Sequence, residues 1–247
     1  MLFDVDVYSC FRRKANNFHL IPAELFVCSE FYNNQGGLYV SQLNEDNNKV
    51  IIEDVTANSN QVTGMILTGE GITVENAYIK NNLFGLAIGS DVESEITLAG
   101  DVSITNNLNG FAVAPAAQGT VRVTGNLISN RNEYGVATEA PDLTIAVGGS
   151  YAGKSGKSDS GSLTACDNRL YDIGNAGPST FVGSDYTCDN DKTFGDGVPD
   201  CKPCYPGCPS PEPDESSFET QQMASDMVEA EYLELELVDL RDFIVRN

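Results

Sequence analysis

One ten-residue sequence motif occurs three times in the middle of this chain. Each copy begins at an isoleucine, continues through asparagine to a glycine, and ends on a short apolar run. The copies occupy residues 79–88, 104–113 and 128–137. Their glycines, Gly85, Gly110 and Gly135, follow one another at steps of 25 residues. A fixed period of this length indicates structural repeats that stack on one another.

Each repeat contains runs of two to four apolar residues that alternate with polar ones and are separated by Asn and Gly. This is the spacing of strands, not of helices. The pattern predicts an all-β right-handed parallel β-helix, in which inward Ile, Val and Leu form ladders and corner asparagines hydrogen-bond between coils. The glycines are expected to supply positive φ at tight corners. Leucine-rich repeats are the main alternative, but their leucine signature and helical segment are missing.

The repeat extends beyond its clearest copies. Residues 31–40 keep the same order of Asn-Asn, Gly and apolar residues, and residues 55–67 form a degenerate version. We therefore expect about five to six coils within residues 24–150, with residues 1–23 as a candidate cap. Phe84, Phe111 and Tyr134 lie beside corner glycines, where stacking in the core is expected.

Composition excludes two classes of partner. The formal net charge of −22 and a pI near 4.1 leave no basic stripe for phosphates, so nucleic acid binding is not expected. No apolar run approaches the roughly 20 residues of a membrane-spanning helix. Membrane insertion is therefore not expected either.

Seven cysteines, five of them between Cys166 and Cys208, indicate an extracellular or cell-surface protein. The first residues do not look like a signal peptide, because acidic residues interrupt the apolar pattern early. Either the chain lacks its true N-terminus, or it leaves the cell by a route that this segment does not show.

The segment that follows the repeats, residues 151–208, begins with a Gly/Ser loop. Gly148 and the Gly153-Lys154-Ser155 string have the spacing of a phosphate-binding loop, but the following residues cannot form the helix that such a loop needs. A surface loop is therefore expected. The rest of the segment is poor in apolar residues. It is expected to be irregular and to be held together by covalent cross-links or a metal ion.

Disulfides are the expected staples of this segment. Cys201 and Cys204 form a C-x-x-C pair, so a zinc site and redox chemistry remain alternatives. No second C-x-x-C is present, and the single histidine, His19, is distant in sequence. The pairing of the cysteines, Cys10 and Cys28 included, stays open.

An aspartate-rich string precedes Cys201. Residues 189–200 place carboxylates at short intervals around glycine, as a loop that binds a hard cation requires. The residues 196–200 resemble the calcium-binding thrombospondin type 3 repeat. This resemblance implies calcium, with the ligands Asp189, Asp191, Asp196 and Asp200. An acidic turn that binds no ion is the alternative, since residues 192–195 interrupt the aspartate spacing.

The C-terminal part has two elements. Residues 209–215 are rich in proline and predict an extended linker. Residues 216–247 predict an acidic amphipathic helix with an apolar stripe of Leu233, Leu237, Leu240 and Ile244. Such a helix packs on its own domain or stays partly disordered; a partner helix or self-association is the alternative. Anionic membranes would repel it.

The repeats of residues 24–147 resemble the right-handed parallel β-helix proteins of the pectin lyase-like superfamily. This resemblance implies a polysaccharide or cell-surface glycan as partner, and it specifies fold better than function. No catalytic residue stands out: Glu53 and Glu75 are expected to stack on neighbouring coils, and the superfamily's catalytic motifs are missing. Two functions remain. The first is a non-catalytic structural, adhesive or glycan-binding protein; the second is a carbohydrate-active enzyme, or a truncated fragment of one.

Overall fold

The computed structural model describes residues 11–13, 19–21, 26–27, 29–42, 50–89, 95–148, 160–177 and 179–204. Almost every regular element in these ranges is a β-strand. The strands are β1 (Phe11–Arg13), β2 (His19–Ile21), β3 (Phe26–Val27), β4 (Ser29–Tyr32), β5 (Gly36–Gln42), β6 (Val50–Asn58), β7 (Thr63–Gly69), β8 (Ile72–Lys80), β9 (Phe84–Ile88), β10 (Glu95–Thr105), β11 (Asn109–Val113), β12 (Gln118–Val123), β13 (Asn126–Asn130), β14 (Tyr134–Thr138), β15 (Asp142–Val147), β16 (Ser162–Ala165), β17 (Tyr171–Asn175), β18 (Thr180–Gly183), β19 (Tyr186–Cys188) and β20 (Thr193–Gly195). One short 3-10 helix spans Asn190–Lys192.

The strands form two parallel sheets that the chain visits in turn. The first sheet runs in the order β1-β4-β6-β8-β10-β12-β15-β18, and β3, β13, β16 and β19 join beside this path. The second sheet runs in the order β2-β5-β7-β9-β11-β14-β17-β20. Each turn of the chain therefore adds strands to both sheets, which confirms the predicted parallel β-helix.

The first sheet bends and supplies two of the three faces of the coil. The long strands β6, β8 and β10 turn at Asp54, Asn76 and Gly100, whose φ angles are 53°, 54° and 62°. In the next coil the bend becomes a break: β12 and β13 both pair with β10, on either side of its turn. The strands of the second sheet form the third face.

Apolar side chains stack in register through the centre of the coils. One ladder lies in the first sheet and consists of Ile52, Val74, Leu98, Val123 and Val147, none more than 1% exposed. Another lies in the second sheet and consists of Leu38, Met65, Leu86, Phe111, Val136 and Ile173, all fully buried. Burial of these ladders stabilises the stack, since a single coil cannot cover its own apolar face.

The coils extend further than the sequence predicts. Within residues 24–147 the second sheet has five strands (β5, β7, β9, β11 and β14), which matches the predicted number of coils. Strands β16 to β20, however, continue both sheets through the segment that was expected to be irregular. That expectation is wrong because a few buried side chains, Leu163, Ile173 and Tyr186, are enough to continue the core. Strands β1 and β2 likewise add to the sheets before residue 24.

Several predicted features lie outside the described residues. These are most of the Gly/Ser loop (149–159), the linker (209–215), the acidic helix (216–247), and Cys10, Cys28 and Cys208. Among the described residues, no helix has the length and apolar character of a membrane span.

Candidate functional site

An asparagine ladder runs along the corner between the first and second sheets. Its members are Asn34, Asn60, Asn82, Asn107, Asn132 and Asn168, each at most 3% exposed. The Oδ1 of Asn107 accepts hydrogen bonds from the backbone N–H of Asn82 at 2.9 Å and from its Nδ2 at 3.0 Å. In the same way, the Oδ1 of Asn82 accepts from the backbone N–H and the Nδ2 of Asn60. The Oδ1 of Asn132 accepts from the corresponding two donors of Asn107. The predicted corner asparagines are thus confirmed, and they satisfy polar groups inside the stack.

The repeated glycines make space for this ladder. A Cβ on Gly110 would lie 2.5 Å from the carbonyl oxygen of Gly135 and 2.6 Å from the Nδ2 of Asn132. Gly85 has equivalent neighbours in the next coil. These glycines do not have positive φ, so the torsional reason expected from the sequence is wrong. Positive φ falls instead on the residues just before the ladder: Asn33, Ser59, Asn81, Asn106, Arg131 and Asp167.

The ladder ends on a buried carboxylate. Asp172 is fully buried and stands in register with Gly135, so its side chain fills the space that the glycines leave open. Its Oδ1 accepts from the backbone N–H and the Nδ2 of Asn168 at 3.2 and 2.8 Å, and its Oδ2 accepts from the backbone N–H of Asp189 at 2.9 Å. Burial raises the pKa of the Asp172 carboxyl, although these hydrogen bonds and Lys192 act in the opposite direction.

Two disulfides hold the end of the described chain against the last coils. Cys166 is bonded to Cys204, and Cys188 is bonded to Cys201. Each cysteine of the C-x-x-C pair therefore has its partner elsewhere, which confirms the expected staples and leaves neither sulfur free as a zinc ligand. Disulfides of this kind indicate an oxidising compartment.

The four predicted calcium ligands lie around this end of the coils: Asp189 at the start of the 3-10 helix, Asp191 within it, and Asp196 and Asp200 in the segment that follows β20. Asp189 lies close to Asp172 and Cys204, with ligand atoms within 4.8 Å of one another. Because the Cys204 sulfur is in a disulfide, that group offers two carboxylates only. Calcium binding by the four aspartates stays a prediction.

A row of aromatic rings crosses the second sheet at the same end. Tyr134 on β14, Tyr171 on β17 and Phe194 on β20 have ring centroids 6.0 and 5.6 Å apart. Tyr171 is 39% exposed, Phe194 is 52% exposed, and the adjacent Leu170 is 40% exposed. We call Tyr134, Tyr171 and Phe194 the aromatic row. Large apolar side chains grouped on a surface are typical of binding sites.

This row could be predicted only in part from the sequence. Of the three aromatic residues expected in the core, Phe111 is fully buried, whereas Phe84 and Tyr134 are half-buried. Tyr171 could not be predicted, because residues 168–173 are a degenerate copy of the repeated motif. They have one extra residue after the ladder asparagine and an aspartate in place of glycine. The position just before the glycine is the signal that would have linked Tyr134 to Tyr171.

Carboxylates show one alignment relevant to catalysis. Glu53 on β6 and Glu75 on β8 are in register on neighbouring strands, as the sequence predicts, and both are half-buried. Glu95 forms an ion pair with Arg122 at 2.7 Å. Asp91 and Glu93, which are close to Glu95 in sequence, lie outside the described residues.

Comparison of the chain with protein-family models, curated proteins and solved structures gave no match.

Proposed function

We propose that this protein is a non-catalytic extracellular or cell-surface β-helix that binds a neutral glycan through the aromatic row. The exposure of Tyr171 and Phe194 on a regular parallel sheet is the observation that carries this proposal. Their positions are fixed by strand pairing, so little conformational entropy would be lost on binding.

The chemistry of the row fits a sugar polymer. A pyranose ring has an apolar C–H face that packs on an aromatic ring, while its hydroxyls bond to polar groups at the rim. The rim here includes the ion pair of Arg169 and Glu133, whose charged atoms are 3.6 Å apart. A neutral glycan is favoured over an anionic one because the chain carries a net charge of −22 and would repel polyanions.

Affinity electrophoresis tests the proposal directly. Wild-type protein would be run in native gels containing a soluble β-glucan, a xylan or a galactomannan, and compared with Tyr171→Ala/Phe194→Ala. We expect at least one polysaccharide to retard the wild type and not the double variant. Tyr78→Ala is the matched control, because Tyr78 is 52% exposed but lies on β8, in the first sheet. Equal loss of retardation in the control, or no retardation of the wild type, would contradict the proposal.

A carbohydrate-active enzyme is the second candidate. It is favoured by the register of Glu53 and Glu75, since parallel strands lie about 4.8 Å apart and retaining glycosidases hold two carboxylates about 5–5.5 Å apart. Release of reducing ends from the same polysaccharides, abolished by Glu53→Gln or Glu75→Gln with binding retained, would favour the enzyme. Binding without turnover would favour the first proposal.

A further inference from the structure

Among the described residues, two strand edges at the C-terminal end of the coils have no strand paired with them. Strands β18 and β20 are the last members of their sheet paths, and within the described ranges no strand pairs with their outer edges. Such edges carry backbone N–H and C=O groups that are ready to pair with another strand. The stack of coils in a parallel β-helix has such strand edges at both of its ends.

A short segment covers the third edge, that of β19. Lys202 forms a parallel bridge with Thr187. The backbone N–H of Cys188 donates to the carbonyl oxygen of Lys202 at 3.0 Å, and the N–H of Lys202 donates to the carbonyl oxygen of Tyr186 at 2.8 Å. We call residues 201–204 the end cap. Both disulfides anchor it, one to β19 itself and the other to Cys166, just after β16.

A segment that covers one edge would obstruct growth of the whole stack. An incoming coil adds strands to all three faces together, so it cannot settle on β18 and β20 while the end cap occupies the edge of β19. The exposed ion pair of Lys202 with Asp185, at 2.6 Å, also places charge at this edge. Charged residues and covering segments are the usual protection of sheet edges.

We propose that the C-terminal end of the coils is a docking surface for the N-terminal end of a second copy of this chain, and that the end cap keeps it closed. The three faces begin with β3, β1 and β2, and each of these runs parallel to the strand with which it pairs. A second copy placed head to tail would therefore continue both sheets with the same strand direction. A contact of this kind does not close on itself and leads to filaments.

Lys202→Pro tests the proposal while leaving both disulfides in place. Proline has no N–H to donate to Tyr186 and does not fit the bridge geometry, so the cap is expected to leave the edge of β19. Analytical ultracentrifugation over a concentration series should then show at least a doubling of mass relative to wild type. Salt near 0.15 M is required, where the Debye length is about 8 Å and repulsion between acidic copies is screened.

Lys202→Ala is the matched control. It removes the ion pair with Asp185 but keeps the backbone N–H, so it should have the same mass as wild type. Cys166→Ala/Cys204→Ala frees the cap by another route and should associate as Lys202→Pro does. In both associating variants, hydrogen–deuterium exchange of β18 and β20 should slow as the concentration rises. If Lys202→Pro keeps the mass of Lys202→Ala at every concentration, or associates without protection of these strands, the proposal is wrong.

Discussion

Gly110 shows how close packing, not backbone torsion, fixes a residue in this repeat. Replacing it with alanine would bring a Cβ within 2.5 Å of the carbonyl oxygen of Gly135, so the corner must shift. We expect Gly110→Ala to lower the free energy of unfolding by about 1–3 kcal/mol, the usual cost of overpacking. Urea denaturation measures this loss.

Gly174 supplies the control for that substitution. A Cβ on Gly174 would have its nearest neighbour, the carbonyl oxygen of Val136, at 3.8 Å, which is ordinary contact. Gly174→Ala should therefore be close to neutral. Equal destabilisation by the two variants would show that space at the ladder is not the constraint.

Asp172 gives the stability of the protein a defined dependence on pH. Burial raises the pKa of its carboxyl in the folded state, so the folded state binds this proton more tightly than the unfolded state does. The resulting stabilisation is complete below the unfolded pKa of about 3.9 and is lost as the pH rises through the folded value. Asp172→Asn cannot titrate, so the stability of wild type relative to this variant should fall from pH 4 towards neutrality. If the stability of wild type relative to Asp172→Asn instead rises with pH, the predicted direction is wrong. Thermal unfolding of both proteins across this range is the measurement.

At the scale of one element, the asparagine ladder is the feature whose loss should be most costly. Asn107→Ala removes the acceptor for two donors of Asn82 and the Nδ2 that donates to the carbonyl oxygen of Thr105. Each buried group left without a partner costs about 1–3 kcal/mol. Asn109→Ala, at a half-buried position on the outside of β11, is the control and should cost far less in chemical denaturation.

The two disulfides are expected to differ in their contribution. Cys166–Cys204 closes a sequence separation of 38 residues and Cys188–Cys201 one of 13. Because a longer loop loses more entropy on closure, Cys166→Ala/Cys204→Ala should lower the melting temperature more than Cys188→Ala/Cys201→Ala. Differential scanning calorimetry of both pairs measures this order. The opposite order would show that packing of the buried Cys188 outweighs loop entropy.

The strands and coils could be predicted from sequence where the repeated motif is intact, and not where it is degenerate. Asn82, Asn107 and Asn132 follow a strict pattern, so the ladder and the coil could be inferred. The role of Gly110 could not be inferred, because a regular spacing does not distinguish a torsional requirement from a spatial one. The coils beyond Val147 were missed because an insertion precedes β16 and Asp172 replaces the expected glycine. The disulfide pairing depends on which coils bring cysteines together, and spacing alone does not determine that.

At the scale of the whole molecule, net charge decides how the predicted calcium site must be tested. A chain with a net charge of −22 is destabilised by its own repulsion, so any added salt screens that repulsion and raises the melting temperature. A comparison of calcium with chelator alone would not separate this general effect from binding to a loop. Calcium, magnesium and sodium chlorides must therefore be compared at matched ionic strength.

A specific site predicts a further rise in melting temperature with calcium over magnesium, since a ligand that binds only the folded state stabilises it by mass action. The difference should disappear in Asp196→Ala, which removes one of the four predicted ligands. Asp142→Ala is the control: Asp142 is an exposed aspartate on β15, in the first sheet, and its loss should leave the calcium effect unchanged. If calcium and magnesium give equal shifts, or if both variants lose the same amount, screening accounts for the effect and the aspartates of residues 189–200 form an acidic turn.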